Sequence, residues 1–225
     1  MPASNRYSLL VTFLLLVLFP LVFLNIGLAS LAKLHIDPQT ALTLVLAIVV
    51  GGLINIPVKR IARESVVWSH PLAVYGLADA MPYWRINRHE TIIAVNVGGC
   101  LIPVGIAAYQ FPFLAAAGAD AIWAVTVATT LSSVVCFFFA RPIPNVGIVM
   151  PGFVAPLTAL LLAVTLAPDH APPVAFVAGV LGPLIGADFL HLDAFTKTPV
   201  GVASIGGAGT FDGIVLSGLL AAFLA

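Results

Sequence analysis

The sequence predicts an all-α fold: a polytopic transmembrane helix bundle of about seven spans, several of them broken by proline and glycine. Three observations predict it. The chain is 61% hydrophobic and 8% charged over 225 residues, against a soluble norm of roughly half apolar and a quarter charged. Its apolar residues gather into runs near the roughly 20 residues that a helix needs to cross the hydrocarbon core. Within those runs lie most of its 19 glycines and about half of its 17 prolines, which mark close-packed or interrupted helices, since disordered segments are polar and charge-rich.

The first run, 7 to 31, follows Arg6 and is too long for the apolar core of a secretory signal. The others are 39 to 57, 91 to 111, 120 to 140, 146 to 167, 172 to 192 and 203 to 224. The fifth is the least regular, with Pro151 and Pro156 following Pro142 and Pro144. It is expected to be partly unwound or re-entrant, a state that survives at membrane depth only where protein or a wet cavity satisfies the backbone. Five glycines between 201 and 213 are too many for a regular helix, so a loop-like segment is expected before the last span. The one sizeable loop, about 58 to 90, carries Trp68, Tyr75, Tyr83 and Trp84 as expected interfacial anchors. Brief alternation at 65 to 68 and 83 to 87 signals at most a small hairpin there. The whole of 1 to 225 reads as a single transmembrane domain.

Orientation follows from the basic residues, which favour cytoplasmic loops. With seven spans, Arg6, Lys59, Arg60, Arg63, Arg85, Arg88, Arg141 and Lys197 share one side and only Lys33 lies on the other. The N-terminus is therefore expected in the cytoplasm. A net charge of zero suggests no nucleic-acid partner; the lipid bilayer is the expected partner, with a homo-oligomer or a protein docked at the cytoplasmic loop left open. No cofactor is implied. Cys100 and Cys136 lie inside apolar runs and read as buried thiols.

Five polar residues fall at similar depth on the cytoplasmic side: Asn55, Asn96, Asn145, Asp188 and Asp212. An ionisable residue within a span usually faces a bundle interior or wet cavity and marks a substrate path, proton relay or catalytic group. At about 1.5 Å of rise per residue, Asp188 and Asp212 differ in depth by only a few ångströms, so the two carboxylates are within reach of each other. The structural alternatives are a helix-end Asp212 bonded to amides of its glycine-rich run and an Asp188 shallow enough to be hydrated. His191 lies three residues after Asp188 and shares its helix face, but an Asp-x-x-His pair alone does not define a metal site. Small residues form stripes suited to close helix packing, Ala175, Gly179, Gly182 and Gly186 in the sixth span and Gly209, Gly213, Ser217 and Ala221 in the seventh. Pro103 and Pro183 should release the carbonyls of Gly99 and Gly179 from helix bonding.

Asn55-Ile56-Pro57, Ala94-Val95-Asn96-Val97-Gly98-Gly99 with Ile102-Pro103, Gly147-Ile148 with Pro151, Leu184-Ile185-Gly186-Ala187-Asp188 and the long block from Gly201-Val202-Ala203-Ser204-Ile205-Gly206-Gly207 to Ala208-Gly209-Thr210-Phe211-Asp212-Gly213-Ile214 resemble the domain of unknown function 1614 family of prokaryotic membrane proteins. The likeness covers about residues 40 to 225. It implies the membrane fold and the inner membrane of a prokaryote, and it carries no activity. A second resemblance is to intramembrane aspartyl proteases of the presenilin and signal-peptide-peptidase type, which use two facing aspartates, one within Gly-x-Gly-Asp. Here Ile185-Gly186-Ala187-Asp188 and Gly209-Thr210-Phe211-Asp212 depart from that motif, and no Pro-Ala-Leu follows.

Three functions are compatible with these residues. In the first, a transporter or channel-like protein binds a proton, cation or small polar solute with Asn55, Asn96, Asn145, Asp188, His191 and Asp212. In the second, a membrane-embedded hydrolase uses Asp188 and Asp212 as its catalytic pair. The third is a non-catalytic membrane scaffold subunit.

Overall fold

The computed structural model describes residues 3–68, 84–143, 147–193, 202–207 and 213–225. Among these are seven α-helices, α1 (Ala3–Lys33), α2 (Pro38–Gly51), α3 (Ile102–Ala117), α4 (Ala119–Phe139), α5 (Val154–Leu166), α6 (Ala171–Pro183) and α7 (Gly213–Leu224). Two π-helical turns extend them: Val97–Leu101 leads into α3, and Leu184–Asp188 continues α6. Counted with those turns, three helices among the described residues are long and apolar enough to cross a membrane, Val97–Ala117, Ala119–Phe139 and Pro168–His191; Val17–Lys33, Pro38–Gly51, Val154–Leu166 and Gly213–Leu224 are shorter apolar stretches.

The fold is not all-α. Strands β1 (Asn55–Trp68) and β2 (Trp84–Asn96) form a long antiparallel hairpin, and β5 (Val202–Ile205) adds to β2 in parallel. A second, two-stranded sheet joins β3 (Arg141–Ile143) to β4 (Gly147–Val149). The small hairpin expected at 65 to 68 and 83 to 87 is therefore only the far end of a much longer one. The expected spans at 39 to 57, 91 to 111 and 203 to 224 each lose their sheet-side turns to strands: α2 ends at Gly51, the third run stays extended through Asn96, and α7 begins at Gly213. Thr91-Ile92-Ile93-Ala94-Val95 is the physical reason for the misreading. Successive residues of a strand point to opposite faces, yet both Ile93 and Ala94 are buried, and a strand covered on both faces has the continuous hydropathy of a membrane helix while its β-branched residues favour extension. Two expectations hold: the fifth run is helical only from Val154, and a non-helical segment precedes the last helix.

Helix α6 is the hub. Val174, Ala175, Phe176, Val177, Ala178 and Val180 are all buried, as an apolar helix enclosed on every side must be; α3, α4, α5 and α7 surround it. Its small residues set the approach distances. A Cβ on Gly182 would run into Ser132 of α4, and one on Gly179 would come 3.0 Å from the Ser217 carbonyl of α7. In α7 it is Gly218, with Val180 2.5 Å from its would-be Cβ, and not Gly213, that makes the reciprocal contact.

At the end of the bundle opposite the sheet, the Ser30 hydroxyl of α1 donates to Leu219 O at 2.7 Å and Lys33 Nζ donates to Phe223 O at 2.7 Å, capping α7 with a cation. Asp37 caps α2 there, its Oδ1 accepting from Gln39 N at 3.1 Å and Thr40 N at 3.0 Å, ahead of Pro38 at the first helical position. Outward-facing side chains are apolar and large, among them Trp123, Phe138 and Leu161, each more than 60% exposed, an arrangement suited to hydrocarbon rather than water.

Candidate functional site

The site forms where α2 and β5 end and α3 begins. Strand β2 stops at Asn96, whose backbone is still extended (φ −77, ψ 132) while its side chain caps the π turn by accepting from Gly99 N at 2.7 Å. The same amide donates to Gly52 O at 2.8 Å and to Asn55 Oδ1 at 3.1 Å. Asn55 stands opposite Asn96 in the hairpin register, and its Oδ1 also accepts from Ser204 Oγ at 2.6 Å. One buried asparagine thus ties the end of α2, the base of the hairpin and the start of α3 together, and a second links that knot to β5.

The glycines of Asn96-Val97-Gly98-Gly99 make the knot tight. A Cβ on Gly98 would run into Ile48 O and Gly52 N, and one on Gly99 into Gly206 O. Gly206 and Gly207 follow β5 with φ of 84 and 80, a left-handed backbone that glycine adopts without strain. This turn aims Gly206 N at the end of α6, where it donates to Asp188 Oδ2 at 2.8 Å. Asp188 is half-buried. That bond is the only side-chain hydrogen bond of Asp188 among the described residues.

His191 follows Asp188 by three residues, and its described bonds are to backbone. Its Nδ1 lies 3.1 Å from both Gly186 O and Ala187 O, so Nδ1 carries the proton, because carbonyls only accept. The ring packs on Phe137 with centroids 4.7 Å apart. The histidine therefore closes the π turn and supplies no ligand beside Asp188 through that nitrogen. Both prolines adjoin π turns: Pro183 immediately precedes one, and at the other Ile102 N, just before Pro103, reaches back to Val97 O.

Of the six residues singled out in the sequence, Asn55, Asn96 and Asp188 come together through β5, and His191 adjoins them. Asn145 and Asp212 lie outside the described residues, as do Tyr75 and Tyr83. No hydrogen bond to a second carboxylate is described for Asp188. Sequence reasoning missed Ser204 and Gly206, the two residues that join the asparagines to the aspartate. The signal was present in Ser204-Ile205-Gly206-Gly207, where a polar residue one step into an apolar strand precedes paired glycines.

The family described as "Protein of unknown function (DUF1614)" matches residues 49–224. Neither a curated protein nor a solved structure matches the chain. The likeness to intramembrane aspartyl proteases finds no support in these comparisons.

Proposed function

The chain belongs to the DUF1614 family, and within it we propose a transporter or channel-like role, with a proton or small cation bound at Asp188. One observation carries the proposal: a half-buried carboxylate ends one π turn, and its one described bond, on a single oxygen, comes from Gly206 N, whose residue packs on Gly99 and Cys100 of the other π turn. Interrupted helices with polar groups at the break are how transporters place an ion site inside a bilayer, and π turns recur at functional sites. Asn96 holds Asn55, and Asn55 holds Ser204, two residues before the Gly206 amide that donates to the carboxylate.

Seven spans, with the sheet in the cytoplasm and the N-terminus on that side, complete the reading. The positive-inside bias supports it, since Lys59 and Arg60 leave from the hairpin base whereas Lys33 lies at the opposite end of the bundle. Thiol labelling of Val58→Cys from the cytoplasm and of Asp169→Cys from the outside is the expected pattern; the reverse would overturn the orientation.

The test of function is flux. Purified protein in proteoliposomes under an imposed pH or cation gradient is expected to dissipate the gradient, and Asp188→Asn to abolish this while the protein still folds. A second reading, the scaffold subunit, has its own support: the Asn96 amide is engaged at both its nitrogen and its oxygen inside the chain, and Asn55 Oδ1 accepts two hydrogen bonds there. It holds that the sheet docks a protein partner or a second copy, and it expects no flux from wild type and only lowered stability from Asp188→Asn.

A further inference from the structure

We propose that the cleft between α2 and α3, at the end of the bundle opposite the sheet, holds one acyl chain of a phospholipid whose primary-amine headgroup is seated at Asp37. The cleft has a volume of about 490 Å³, within the range of about 300–1,000 Å³ typical of small-molecule sites. Its lining is graded. Leu44, Ile102 and Ile106 form its apolar part, whereas Asp37 and Thr40 stand at its rim, where α2 begins. An amphiphile has that same order of chemistry.

Three features point to lipid as the occupant. The outward face of α2 beside the cleft exposes Leu42, Leu46 and Val50, so the cleft adjoins a surface made for hydrocarbon. Gly105, in the wall contributed by α3, has nothing within 4 Å of where its Cβ would stand. Glycine weakens a helix interior relative to alanine, and no close packing there calls for it; what it does is leave the cleft open. The third feature is the rim charge. Asp37 is exposed at that rim, with Gln39 N and Thr40 N both donating to its Oδ1. The hydrogen bonds from Thr40 and Gln39 hold its carboxyl below the usual range, so it is ionised at neutral pH. An ammonium group complements it through a charge-assisted hydrogen bond, and an anionic headgroup is repelled.

The proposal is tested by native mass spectrometry of the full chain released from detergent, titrated with phosphatidylethanolamine and phosphatidylglycerol of identical acyl composition. Wild type should retain one phosphatidylethanolamine at collision energies that strip other lipids, with a preference over phosphatidylglycerol of about fivefold, the scale of one exposed charge contact. Gly105→Leu should remove the retained lipid. Gly152→Leu, at a glycine that likewise has open space around it but lies before α5, should keep it. Asp37→Asn preserves a good helix cap and should bring the headgroup preference to parity. Equal retention of both lipids by wild type, or undiminished retention by Gly105→Leu, overturns the proposal. Should Gly105→Leu fail to fold, Asp37→Asn decides: a preference that survives it rules out the seat at Asp37.

Discussion

Asn96 has no exposed surface and makes three hydrogen bonds, two of them to backbone groups. Asn96→Ala strands Gly99 N and Gly52 O, and leaving a buried polar group unpaired costs about 1–3 kcal/mol each. The expected loss is therefore about 2–6 kcal/mol, read as the unfolding midpoint in detergent. Asn96→Asp retains the acceptor for Gly99 N and loses the donor for Gly52 O, so it should fall between. Asn55→Ala should cost less, because Asn55 is exposed and its partners Asn96 and Ser204 retain other contacts or solvent. At this scale the sequence was a good guide to position and a poor one to role. Depth alone placed Asn55, Asn96 and Asp188 on one side, but hydrogen-bond partners such as Gly52 O and Gly206 N are backbone atoms carried in by strands, and side-chain identity does not announce them. Asp37 gives a separate, pH-dependent expectation. Its folded carboxyl titrates below its unfolded value because Thr40 and Gln39 donate to it. Its contribution is thus present above the unfolded pKa near 4 and fades as pH falls through the lower folded value. A melting series from pH 7 to 3 should show Asp37→Ala losing its deficit relative to wild type toward the acid end.

The strands are the elements that hydropathy concealed. β2 is central, covered by β1 on one side and β5 on the other, and its apolar half near Asn96 reads as the first turns of α3. β1 is an edge strand that was read as the end of a span and a loop: Pro57, a register irregularity between Pro57 and Lys59, and exposed Lys59 and Arg60 are devices that keep an edge from pairing with another chain. The parallel pairing of β5 with β2 joins residues more than a hundred positions apart, and local periodicity carries no information about it. What the sequence did show was that glycine crowds the ends of these strands. Gly206→Ala combines two penalties, a left-handed φ of 84 and a Cβ placed 2.6 Å from that of Cys100. Strain in that backbone region is of the order of 1–3 kcal/mol, and overpacking adds about 1–3 kcal/mol. Gly206→Ala is therefore expected to misplace the amide that Asp188 accepts from, lowering both stability and any flux. An unaltered melting profile would show that the turn is not held as described.

Across the whole molecule, stability is concentrated in the enclosure of α6. α3, α4, α5 and α7 all pack on it, and its glycines set how closely two of them, α4 and α7, approach, whereas glycines on the periphery fix nothing. That contrast was half legible: the stripe Ala175, Gly179, Gly182 and Gly186 marked the contact face, and Ser217 and Ala221 of the α7 stripe are fully buried with Ser217 O facing Gly179, but spacing could not distinguish Gly213, which has open space around it, from Gly218, which meets Val180. The consequence is a pair of opposite outcomes from the same chemical change. Gly182→Ala drives a methyl into Ser132, where the facing backbone of α4 leaves no room to recoil; overpacking of this kind costs about 1–3 kcal/mol, and the loss should appear as a lowered cooperative transition, since all the helices around α6 are displaced together. Gly105→Ala adds a methyl to open space in the interior of α3, where replacing glycine gains about 0.5–1 kcal/mol of helix stability. The two variants should therefore shift the unfolding midpoint in opposite directions. If both shift it down, Gly105 is packed and the cleft beside it is closed; if neither moves it, α6 does not hold the bundle together in the way its burial implies.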